Sequence, residues 1–138
     1  MGAAEARERV ELALRYLEEG RALVERDPVQ ASEKLYKAAE EAVRALALYY
    51  DLGGALEKAE RSGRWTFEEL ERAARAIAGR VGEWFIAAWD AASYLLVLGA
   101  QEAKLDGESV EARLPSIERM LVEARRTVSG GAPNARSN

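Results

Sequence analysis

Between Trp84 and Ala100 a single charged side chain, Asp90, interrupts a run made otherwise of Trp, Phe, Ile, Ala, Ser, Tyr, Leu, Val and Gly. A helix that is apolar nearly all round must be covered by other elements, so this run predicts a central helix packed on several sides. It falls short of the roughly 18–20 apolar residues that span a bilayer, and an aspartate near its middle would be costly in lipid. The expectation is no membrane. Composition points to the same fold class: 27 alanines and 16 leucines stand against 14 valines, isoleucines and threonines, which predicts an all-α chain. At 138 residues, the chain has the length of one domain with one core.

The chain contains neither cysteine nor histidine. That removes thiol nucleophiles, disulfides, thiolate zinc sites and imidazole bases, and with them most familiar enzyme chemistry. No cofactor, metal site or catalytic residue is expected, and the chain reads as a non-enzyme. Twenty Lys plus Arg against 24 Asp plus Glu leave a net charge of −4, which disfavours a broad nucleic-acid surface while allowing a local basic patch. The N-terminus turns charged at Glu5 without a secretory apolar stretch, so a cytoplasmic protein is expected. Absence of oxidisable cysteine and the excess of Arg over Lys suit a thermophile.

Apolar periodicity divides the chain into helices. Glu5 to Arg26 carries two adjacent apolar stripes. Asp27-Pro28 is an N-cap followed by proline at the first helical position, and it opens a second helix reaching about Tyr50. The link is so short that these two should form an antiparallel hairpin. Asp51-Leu52-Gly53-Gly54 breaks the pattern, Ala55 to Arg61 allows a short helix, and Thr66 to Glu69 forms a capping box that starts a third main helix at Phe67. This helix should fade at Gly79 to Gly82. After the Trp-rich run, a turn near Val110 to Leu114 should stop at Pro115 before a last helix through Ala124. The whole predicts an antiparallel bundle of four to five helices over residues 1–128, with its Ala-rich second and Trp-rich fourth helices at the core, and a flexible tail over 129–138.

Two groups of residues are candidate sites. At about 100° per residue, Glu83, Asp90 and Gln101 fall within about 20° of one another with Tyr94 beside them. They predict a polar cleft in the bundle, or an Asp90 whose partner fixes helix register. Arg61, Arg64, Arg72 and Arg75 surround Trp65 and Phe67, the mixture that stacks on and neutralises a single-stranded nucleic acid, although nearby glutamates nearly cancel the charge. The pairs Glu18-Glu19, Glu40-Glu41 and Glu68-Glu69 read as solvated faces, since adjacent helical positions diverge too far to share one ion.

The segment Gln30 to Leu46, reading QASEKLYKAAEEAVRAL after Asp27, resembles the second-helix signature of the archaeal PaREP family, which is related to HEPN domains. Gly63-Arg64-Trp65-Thr66, Trp89-Asp90-Ala91-Ala92 and Gly99-Ala100-Gln101-Glu102-Ala103-Lys104-Leu105 agree in order, so the likeness spans most of residues 5–125. The resemblance implies a HEPN-like helical bundle, a homodimer, and an interaction module of unassigned role that recognises RNA, a nucleotide or a partner protein. The alternative it implies is a divergent HEPN-type ribonuclease. HEPN nucleases use an Arg followed a few residues later by His, and similar PaREP proteins carry histidines near positions where Leu96 and Gln101 stand here. Gln101 can hydrogen-bond but cannot take a proton at neutral pH.

Overall fold

The computed structural model describes residues 2–130, and every regular element among them is helical. Helix α1 spans Gly2–Leu23, α2 Pro28–Tyr50, α3 Ala55–Ser62, α4 Phe67–Val81, α5 Trp84–Tyr94 and α6 Gly107–Val128. A 3-10 turn, Leu52–Gly54, links α2 to α3, and a π-helical segment, Leu95–Gln101, prolongs α5. The expected tail begins with Ser129 and Gly130, both exposed; residues 131–138 lie outside the described residues.

The first hairpin forms as the sequence requires. Asp27 caps α2 by accepting a hydrogen bond from the Gln30 N–H at 3.1 Å, and Pro28 loses nothing at the first turn. α1 can lie close on α2 because position 20 is glycine: a Cβ there would stand 2.8 Å from Leu35 Cδ2. At the far end Asp51 adopts a left-handed backbone and its N–H bonds back to the last turn of α2, as a C-terminal residue should.

The core is arranged around α2, not around the Trp-rich helix. α2 packs on α1, α4, α5, α6 and the π segment, and it buries thirteen residues from Ala31 to Leu48. Its alanines make this feasible, since small side chains let several neighbours approach one backbone. The expectation of a fully surrounded fourth helix is therefore corrected. α5 buries Phe85, Ala88, Trp89 and Ala92 but leaves its opposite side uncovered. Trp89 is the largest side chain fully inside, held by rings of Tyr36 and Phe67 at 5.8 and 5.7 Å and donating from Nε1 to Glu71 Oε1 at 2.9 Å.

Two boundaries differ from the reading of the sequence. Pro115 does not interrupt α6, which runs from Gly107 to Val128 without a break. Both Pro115 and Glu111, whose carbonyl loses its helical donor to the proline, are exposed, so the unpaired carbonyl faces solvent and the usual penalty is reduced. The Thr66 capping box forms as expected: Thr66 Oγ1 accepts from Glu69 N–H at 3.1 Å and Glu69 Oε1 accepts from Thr66 N–H at 3.0 Å. Gly82, at φ +125, then separates α4 from α5.

Candidate functional site

Glu83, Asp90, Tyr94 and Gln101 do share one line of α5 and its π extension, but the line faces solvent. With Ala87 and Val97 they form a continuous stripe at spacings of three and four residues, and all six are exposed. The polar cleft is thus corrected to an outer face: α5 sits at the rim of the bundle, so its few polar residues occupy the side that nothing covers. Tyr94 and Val97 remain 39% and 41% exposed. Along the edge of the stripe, α6 places Arg113 over the Tyr94 ring and Arg119 over the Trp84 ring, each 4.0 Å from the ring centre. Among the described residues neither arginine reaches a carboxylate, and Glu83 and Asp90 make no ion pair. Asp90 therefore fixes no helix register through a salt bridge.

The arginines around Trp65 do not form one basic surface. Arg61 pairs with Glu57 at 3.6 Å and Arg75 with Glu71 at 3.7 Å, each along its own helix. Arg64 is exposed and engaged within the chain. Arg72 makes no ion pair among the described residues and stands at the mouth of a cavity of about 250 Å³. This cavity lies between the 3-10 turn and α4 and is lined by Leu52, Gly53, Lys58, Trp65, Glu69, Arg72, Ala73 and Ala76. The capping box fixes the entry of α4 and so sets Trp65, the residue before the cap, against the core.

A second, smaller cavity of about 90 Å³ lies on another side of Trp65, lined also by Glu5, Glu8, Arg9, Arg44 and Gly63. Beside it is an ion cluster that the sequence reading missed. Glu41 is buried, not solvated, and its carboxylate meets Arg9 at 3.2 Å and Arg44 at 3.3 Å. Arg44 also lies 3.9 Å from Glu40, donates to the Gly63 carbonyl at 3.4 Å and faces the Trp65 ring at 5.9 Å. Burial pushes the Glu40 carboxyl above the ordinary range, an effect partly offset by Arg44. The signal for this cluster lay in α2 itself, since a helix covered by this many neighbours buries some of its glutamates and must pair them. No group of three or more carboxylates able to hold a metal occurs among the described residues, and no helix among them is long and apolar enough to cross a membrane.

The sequence profile of the archaeal PaREP1/PaREP8 family matches residues 8–121. The chain belongs to this family. Its structure is similar to the crystal structure of a Sulfolobus solfataricus protein, with a TM-score of 0.76 and 30% identity over 84% of this chain and 95% of that one. It is also similar to the solution structure of the Orf c02003 protein, with a TM-score of 0.71 and 29% identity over 88% of this chain and 93% of that one. These likenesses establish a shared all-helical fold. No curated protein matches the chain.

Proposed function

We propose that this PaREP family member is a non-catalytic interaction module that pairs with a second copy of itself through the exposed stripe of α5. The observation that carries the reading is the charge arrangement beside Tyr94 and Val97. Two acids without ion pairs, Glu83 and Asp90, lie on α5, and two arginines without ion pairs, Arg113 and Arg119, lie next to them on α6. A two-fold axis through such a face brings the acids of one copy toward the arginines of the other, and it buries the apolar positions Ala87, Tyr94 and Val97 between them. Pairing of Arg61 and Arg75 with glutamates of their own helices favours a protein partner over an extended RNA strand, which needs several uncommitted cations. The ribonuclease alternative gains little support: Asp90 and Glu102 are both exposed, and Glu102 is paired with Lys104 at 3.5 Å.

Light scattering coupled to size exclusion tests the reading. The wild-type chain should elute at twice the chain mass, and Tyr94→Glu with Val97→Glu should elute at the single mass with an unchanged helical spectrum. A wild-type monomer, or a double variant that stays paired, would refute it.

A further inference from the structure

We infer that the cavity between the 3-10 turn and α4 is a binding site for a small aromatic anion, a planar one- or two-ring molecule bearing a carboxylate or phosphate. The inference stands apart from pairing through α5, since its lining comes from the 3-10 turn, α3, Trp65 and α4.

Size comes first. A volume of about 250 Å³ falls just under the range of about 300–1,000 Å³ that holds drug-sized ligands, so the occupant is no larger than a fused ring with one substituent. Shape and surface come next. Leu52, Ala73 and Ala76 offer apolar walls, and Trp65 supplies an aromatic side chain on which a planar ring gains stacking energy. Gly53 leaves open space where a Cβ would stand, so the 3-10 turn does not close over the mouth.

Polarity decides the rest. Each of the other two tryptophans satisfies its indole N–H, Trp84 on the Val81 carbonyl at 3.1 Å and Trp89 on Glu71 at 2.9 Å. Trp65 makes no hydrogen bond with the described residues. Glu69 is committed to the cap of α4 through Oε1 and lies 3.8 Å from Lys58 through Oε2. With Lys58 balanced by Glu69, the cavity keeps the charge of Arg72, a planar fork suited to two oxygens of one anion. An apolar slot with one aromatic side chain, one unused N–H and one uncompensated guanidinium selects a ring that carries a negative charge.

Titration of the intact chain with 1-naphthoate, followed in ¹H–¹⁵N NMR spectra, is the test, with 1-naphthalenemethanol as the neutral isostere and adenosine 5′-monophosphate as a second ring-bearing anion. Saturable shifts of the Trp65 indole and of the Leu52 and Ala73 amides are expected. Arg72→Ala should weaken naphthoate about tenfold while leaving the alcohol unaffected. Ala76→Leu, at an exposed lining position, should fill the slot and abolish binding without changing the fold seen in the spectrum. Preference for the nucleotide over naphthoate would assign a nucleotide-type ligand, and the reverse an aromatic carboxylate. Absence of saturable shifts at Trp65 with both anions, equal binding of acid and alcohol, or retained binding in a folded Ala76→Leu chain would overturn the inference.

Discussion

Gly99 of the π segment packs directly on the hydroxyl of Ser32 in α2, so closely that a Cβ at position 99 would stand 2.6 Å from Ser32 Cβ. Ser32 is fully buried, and its hydroxyl has no hydrogen-bond partner. Gly99→Ala should therefore destabilise the chain by about 1–3 kcal/mol through overpacking. Ser32→Ala should raise stability by about 1 kcal/mol, because it removes a buried polar atom that gains nothing from the fold. Urea unfolding followed by circular dichroism measures both. Shifts of the same sign for the two variants would contradict the packing described.

Glu41 is the buried partner of two arginines, so removing its charge leaves Arg9 and Arg44 facing each other without a carboxylate between them. Glu41→Ala should cost about 3 kcal/mol, near the lower end for a buried pair because Arg9 is partly in water. Arg9→Ala should cost less, since Arg44 still holds Glu41. The order of the two unfolding midpoints checks this, and it reverses if Glu41 is not the centre of the cluster.

Glu40 carries a pH dependence of definite sign. Its folded carboxyl is pushed up by burial, so the folded chain binds its proton more readily than the unfolded chain does. This contribution to stability grows as pH falls through the raised value and is absent at neutral pH, where the buried charge is a cost. In Glu40→Gln the gain on lowering the pH from 7 toward 5 should be smaller than in wild type, while stability at pH 7 should not fall. Thermal midpoints of the two chains across that interval decide the matter, and a larger gain in the variant would reverse the assignment.

Thr66 fixes the start of α4 and with it the placement of Trp65. Thr66→Ala should cost about 1 kcal/mol, and Thr66→Ser much less, because the serine hydroxyl can accept the same N–H. If the cap also builds the cavity, the Trp65 indole resonance should move in the alanine variant and not in the serine one.

Local chemistry made the helices legible. Asp27-Pro28, the Thr66 capping box and the glycines near position 80 act within a few residues, and each marks the boundary found in the structure. Helix order is a different matter. The density of apolar residues in Trp84 to Ala100 pointed to the centre of the bundle, yet α2 lies there, because alanine permits close approach from many sides whereas large rings fill one side and leave the other outside. The same confusion placed Asp90 and Tyr94 in a cleft. Angular phase identified correctly which residues share a line, but not whether that line faces a neighbour or water. Glu41 was read as solvated because its charge suggested exposure, and only the crowding around α2 explains its burial. The role of Pro115 depended on which side of α6 is wet, which is a property of the assembled bundle.

The wide turn from Leu95 to Gln101 holds one more residue per turn than the helix before it, and Glu102 N–H closes it on the Val97 carbonyl at 2.9 Å. A chain shortened by one residue here would rewind into ordinary helix and swing everything after it by about 100°. The glycine would leave its seat and the outer seam would lose its phase, so this stretch tolerates changes of side chain far better than changes of length.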